Sequence, residues 1–115
     1  MQQVVFNANY LAYVDDAVEV WFTGCKVTPR DVDWDVMLKK AVIEWQGSAT
    51  VHDVIDIEVG IRRWGNTSLD VGFVGTVRER PVFDCTITYV GVKPGTKETM
   101  PPPTEVRERL GEAGT

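Results

Sequence analysis

Residues 4–21 read VVFNANYLAYVDDAVEVW, and within this stretch the pattern of apolar residues changes its period. Val4, Val5 and Phe6 make a β-type apolar run, which Asn7-Ala8-Asn9 interrupts. Beyond it Tyr10, Val14, Ala17 and Trp21 recur at helical spacing, Tyr13 and Val18 widen the stripe, and Asp15, Asp16 and Glu19 fall off its centre. This spacing predicts one long, largely buried helix over residues 9–23. Thr23-Gly24 supplies its stop, because glycine readily takes the left-handed conformation that ends helices.

Downstream the period becomes two. Residues 36–50 read as a strand. In residues 54–64, Ile55, Ile57, Val59 and Ile61 alternate with Asp56, Glu58, Gly60 and Arg62, the signature of a half-buried strand that turns at Trp64-Gly65-Asn66. Residues 68–78 alternate Leu69, Val71 and Phe73 with Asp70 and Gly72, and residues 81–92 alternate Phe83, Cys85, Ile87 and Tyr89 with Asp84, Thr86 and Thr88. Short connections make these last three strands an antiparallel meander. Residues 31–35 read as an acidic loop or short turn. Pro101-Pro102-Pro103 forbids helix and strand interior, and Thr104 is placed to cap a short tail helix that reaches Leu110. A buried helix followed by long antiparallel strands is an α+β pattern in which the sheet wraps the helix. Trp21, Trp45, Trp64 and Phe73 offer large apolar bodies for that core or for the walls of a ligand site.

At 115 residues the chain is one domain, 1–115, with 43% apolar and 25% charged residues and no apolar run long enough for a membrane span. The first residues lack a secretory pattern, and two cysteines, Cys25 and Cys85, are too few for a disulfide framework, which makes the cytoplasm the default location. A net charge of −5 argues against nucleic acid as a partner. His52, the single histidine, has no partners at metal-ligand spacing, and no glycine-rich phosphate loop is present, so neither metal nor cofactor is implied.

The same segments resemble the hotdog-fold acyl-CoA thioesterases, in the branch that includes 4-hydroxybenzoyl-CoA thioesterase and the Tol-Pal-associated acyl-CoA hydrolases. There an aspartate, a short turn and V-[YF]-[HFY]-x-N-Y lead into the central helix; Val5, Phe6, Ala8, Asn9 and Tyr10 fit that pattern. IEWQGSA resembles the family's I-x-Y-x-x-P-A strand, HDVIDIEVGIRRWGNTSLDV its G-D-x-L-x-V…R-x-G-x-[ST]-S-L segment, and PPPTEVRERL its closing P-x-x-[LV]-x-x-x-[LF]. The resemblance implies a hotdog domain with an active-site turn at 1–8, a central helix at 9–23, strands within 36–92 and a tail helix with a frayed end at 101–115. It leaves the family's first strand without a counterpart. The family's aspartate lies nine residues before the helix asparagine, which falls one residue before Met1. In-frame coding sequence ahead of Met1 is therefore expected to hold a β-type run and an aspartate, and the chain as written is expected to be an impaired hydrolase.

Thioester hydrolysis needs a carboxylate and a positive site for the oxyanion. By resemblance the backbone N–H of Asn7 provides the second, at a helix start whose unpaired N–H groups favour negative charge. Asn7 and Asn9 serve equally well as helix caps. Asp15 stands where many relatives carry glutamate and is the leading carboxylate; for Asp16 and Glu19 a solvated helix face is the stronger reading. Candidate substrate contacts are Asn9, Tyr10, Trp64, Ser68, Arg62 and Arg80. The arginines, with Arg63, Arg78, Lys93 and Lys97, suit either coenzyme A phosphates or a solvated edge. The expected function is hydrolysis of an acyl- or aryl-CoA thioester by a homodimer or homotetramer with its site at the subunit interface. The rival is a hotdog module that binds such a ligand without cleaving it, and a dehydratase of the same fold is a weaker third.

Overall fold

The computed structural model describes residues 2–5, 10–47 and 53–112, with side-chain detail from Val14 onward. Its elements are β1 (Gln2–Val5), α1 (Tyr10–Gly24), α2 (Pro29–Val32), β2 (Asp35–Trp45), β3 (Val54–Trp64), β4 (Ser68–Val77), β5 (Arg80–Val92) and α3 (Thr104–Leu110). The five strands form one antiparallel sheet in the order β1-β3-β4-β5-β2, so β2 crosses the molecule to lie beyond β5. The meander of β3, β4 and β5 and the long helix match the α+β hotdog expectation.

Alternation decides which side of the sheet meets the helix. Ile55, Ile57 and Ile61 on β3, Leu69, Val71 and Phe73 on β4, and Phe83, Cys85, Ile87 and Tyr89 on β5 are all buried beneath α1, which contributes Val14 and Ala17. The polar partners in each alternation, among them Asp70, Asp84, Thr86 and Thr88, therefore share the outer face. In β3 the register shifts between Ile61 and Arg63, which leaves Arg62 as an extra residue. That bulge puts two consecutive arginines on the same outer face, which simple alternation forbids. A second bulge between Leu38 and Lys40 resets β2 in the same way, so Val36 and Leu38 before it and Ala41, Ile43 and Trp45 after it lie on the inner face.

Several boundaries differ from the sequence reading. A short strand that the sequence reading did not assign, Gln2–Val5, pairs with β3 from Gln2↔Ile57 to Val5↔Val54, inside the segment read as an active-site turn. β2 ends at Trp45 and not near residue 50, because the N–H groups of Gln46 and Gly47 both turn to the Val82 carbonyl. The acidic stretch at 31–35 contains α2, capped by the Thr28 side chain, and leads to Trp34, which is 1% exposed. α3 starts at Thr104 itself, with Pro103 at the cap position and no side-chain cap bond. Trp45, assigned to the core from its type, is 46% exposed on the sheet edge.

Directed contacts fasten the C-terminal segment, three of them at tryptophans. Trp34 Nε1 donates to the Met100 carbonyl at 3.2 Å, Trp64 Nε1 donates to the Gly111 carbonyl at 3.0 Å, and the Arg107 guanidinium lies 5.0 Å from the Trp64 ring centroid. Gly91 makes the first of these possible, since a Cβ there would collide with Trp34 Nε1 and the Met100 carbonyl oxygen. Gly91→Ala is accordingly expected to destabilise the fold by about 1–3 kcal/mol, the usual cost of overpacking an immobile contact. Chemical denaturation should show the loss as a lower midpoint with an unchanged slope.

Candidate active site

α1 covers β3 to β5 but leaves the inner face of β2 open. Between the second half of the helix and the start of β2 runs a cleft of about 300 Å³, lined by Val18, Glu19, Phe22 and Thr23 of α1, by Val27, Thr28 and Pro29, and by Asp35 and Val36. Asp15, Glu19 and Phe22 stand at i, i+4 and i+7, so one helix face presents a carboxylate, a second carboxylate one turn later and then an aromatic ring. Asp15 is exposed and has no hydrogen-bond or ion-pair partner among the described residues. The floor continues along β2 through Leu38, which is 56% exposed, to Ala41, Ile43 and Trp45. The arrangement offers an apolar trough flanked by acidic groups on one wall.

Tyr89 lies at the inner end of this trough, directly across β5 and β2 from Leu38. It is 5% exposed, and its hydroxyl has no hydrogen-bond partner among the described residues. Burial, followed by the charge of Asp15 and the Cys85 thiol, pushes the phenol well above the ordinary tyrosine range. The hydroxyl therefore stays a donor throughout the physiological range.

The candidate contacts from the sequence do not converge on the cleft. Arg62 lies on the outer face, where Nη1 and Nη2 hold Asp84 Oδ1 and Oδ2 at 2.6 and 2.8 Å and Nη1 also reaches Thr86 Oγ1 at 2.6 Å. A guanidinium engaged in this bidentate manner is not free for a phosphate. Ser68 Oγ accepts from Arg63 Nη2 at 3.2 Å, while Arg63 Nε donates to Asp70 at 2.9 Å. Trp64 is held by the tail helix. Arg80 opens β5 at the opposite end of the sheet, nine residues along β4 from Ser68 to Val77, which is roughly 30 Å at the rise of a strand. Tyr10 begins α1, whereas Asn7, Asn9 and His52 lie outside the described residues. On the outer face, Lys39 and Lys97 flank a hollow of about 230 Å³ with Met37, Val90 and Val92.

Sequence reasoning singled out neither Phe22 nor Tyr89 and read Glu19 as a solvated helix face; Glu19 is exposed where it borders the cleft. Glu19 and Phe22 were readable as the i+4 and i+7 neighbours of Asp15. Tyr89 was not, because its alternation marks it as ordinary core and only a three-dimensional inventory shows its hydroxyl unpaired.

A family model described as the thioesterase-like superfamily matches residues 2–110. The match is to the superfamily and not to one branch of it. No curated protein matches the chain. Among solved structures, the fold is similar to a Pseudomonas aeruginosa protein at TM-score 0.80 and 14% identity, covering 95% of this chain and 87% of that one. It is also similar to a Staphylococcus aureus protein solved in complex with CoA, at TM-score 0.78 and 10% identity over 99% and 85% of the two chains. The 1,4-dihydroxy-2-naphthoyl-CoA thioesterase of Synechocystis aligns at TM-score 0.75 and 15% identity, covering 92% and 82%. These likenesses establish the hotdog fold. Among the described residues, no helix is long and apolar enough to cross a membrane.

The outer-face ion pair gives the site's scaffold a pH signature. The hydrogen bonds from Arg62 hold the Asp84 carboxyl below its ordinary value. A depressed carboxylate contributes stability that is fully present above its unfolded pKa, near 3.9, and is lost as the pH falls through the lower folded value. Both side chains are about a third exposed, so the contribution is small. Thermal melts from pH 6 down to pH 2.5 should show a shallower acid decline in Asp84→Asn than in the wild type.

Proposed function

Because the chain belongs to the thioesterase-like superfamily, we propose that it hydrolyses an acyl- or aryl-CoA thioester to the free acid and CoA, at the cleft between α1 and β2. The observation that carries this reading is the single helix face that places Asp15 one turn from an apolar trough. In the reaction Asp15 takes a proton from a water molecule, the water oxygen adds to the thioester carbonyl carbon, and the resulting oxyanion is held by unpaired N–H groups where α1 begins. By its place in the sequence, Asn7 contributes one of these donors. Collapse breaks the carbon–sulfur bond, and the leaving thiolate recovers a proton. The acyl group lies along Val18, Phe22, Val36 and Leu38, with Asn9 and Tyr10 at the helix start. Arg62 is already held by Asp84 and Thr86, which leaves it no free donor pair for coenzyme A phosphates.

β2 is an open edge with apolar side chains on both faces: Met37 and Val42 outside, Leu38 and Trp45 inside. Such an edge seeks a partner strand. We infer a homodimer formed by isologous antiparallel pairing of two β2 strands, which also brings a second chain beside each cleft. The alternative reading, a module that binds a thioester without cleaving it, is favoured by one observation: Asp15 has nothing among the described residues to hold its carboxylate in place.

Two measurements decide between these readings. With a thiol-trapping dye and a panel of short, long and aryl CoA thioesters, Asp15→Asn should lower kcat by about 10²–10⁴-fold while KM changes little. Binding without turnover by the wild type would select the module instead. The melting temperature should rise with protein concentration, as it does when the interface is part of the folded unit; a concentration-independent melt with a monomer in sedimentation would dismiss the β2 dimer.

A further inference from the structure

The described residues bury no charged or polar side chain, so the phenol of Tyr89 is an exception in an otherwise apolar interior. Its hydroxyl is enclosed and has no hydrogen-bond partner among the described residues. An orphaned buried donor lowers stability, and phenylalanine would fill the same volume without that cost. The position of the group suggests what compensates for it. Tyr89 is on the inner face of β5, in the cluster that includes Val14 and Ala17 of α1, and its cross-strand neighbour on β2 is Leu38. Leu38 borders the uncovered trough and, at 56% exposure, is free to swing. A ligand in the trough would have to displace that side chain to reach the hydroxyl. Asp15, on the helix above, is near enough for its charge to act on the phenol.

We propose that Tyr89 determines specificity in this cleft, its O–H donating a hydrogen bond to an oxygen carried by the acyl group a few bonds from the thioester carbonyl. The inference rests on the thioesterase reading above and narrows its substrate class to acyl thioesters that bear a hydroxyl or keto oxygen. A plain hydrocarbon chain leaves the donor unpaired, whereas an oxygenated one satisfies it in a site sheltered from water, where such a bond discriminates most strongly.

The test compares hexanoyl-CoA with 3-hydroxyhexanoyl-CoA and 3-oxohexanoyl-CoA on the wild type and on Tyr89→Phe. In kcat/KM the wild type should prefer the oxygenated pair by on the order of 10-fold, the scale of one sheltered hydrogen bond, and Tyr89→Phe should bring the ratio near one. The variant's melting temperature should equal or exceed that of the wild type, because an unpaired hydroxyl has been removed. A melting temperature lowered by several degrees would mean that the hydroxyl is already satisfied in the folded chain and would overturn the proposal. So would a selectivity that is absent from the wild type or unchanged in the variant. Calorimetric binding of the same three thioesters to Asp15→Asn and to the Asp15→Asn, Tyr89→Phe double variant reads the preference without turnover. A binding preference that disappears with the hydroxyl, in a protein that hydrolyses none of the three, would refute the hydrolase reading and uphold Tyr89 as the selecting group. Hydrolysis without any preference would do the reverse.

Discussion

An α-helix with its side chains is about 10–12 Å across, whereas five strands at about 4.8 Å spacing span roughly 19 Å. α1 therefore cannot cover the sheet it packs on. The buried rows of β3, β4 and β5 take up its apolar face, and the shortfall falls on β2, whose inner residues remain open. The trough, the exposed Trp45, the unpaired strand edge and the carboxylate-bearing flank of the helix all follow from that mismatch in width. A longer helix would not remove it, and only a second covering element can.

The outer face meets the opposite requirement. It must stay wet, and cross-strand ion pairs, Arg62–Asp84 and Arg63–Asp70, serve that need. The β3 bulge is the device: by turning Arg62 and Arg63 to the same side, it lets one reach Asp84 and Thr86 and the other reach Asp70, which also accepts from Thr88 at 2.7 Å. Gly72 is part of this arrangement, because a Cβ there would collide with the Arg62 side chain. The residues that suggested phosphate recognition are thereby used to knit three strands together.

Periodicity made the helix and the three-strand meander legible, because both depend on local alternation that each segment carries in itself. The match of β2 to β5 was not legible in this way. It joins strands that the sequence places on either side of β3 and β4. The bulges also escaped detection, since an extra residue leaves the composition of a strand unchanged while reversing the side on which Arg63 emerges. At the site, Asp15 was visible as a carboxylate beside an apolar stripe. Arg62, Ser68 and Trp64 were chosen for chemistry that their neighbours Asp84, Arg63 and Arg107 had already claimed, and such competition between side chains has no sequence period.

The fastening of residues 100–111 bears on the order in which the chain matures. Trp34 and Trp64 find their carbonyl partners on Met100 and Gly111, and Arg109 reaches back to the Lys26 carbonyl at 2.7 Å. Among the described residues, β2, made early, pairs with β5 alone, made last among the strands. During synthesis, therefore, α1 and β2 leave the ribosome well before anything exists to bury them. The nascent chain carries an amphipathic helix and a bare strand through most of its translation, and it closes only once the tail has emerged. With pairing this long in range, exposure of apolar surface is set by topology and is greatest just before β5 and the tail are free to dock.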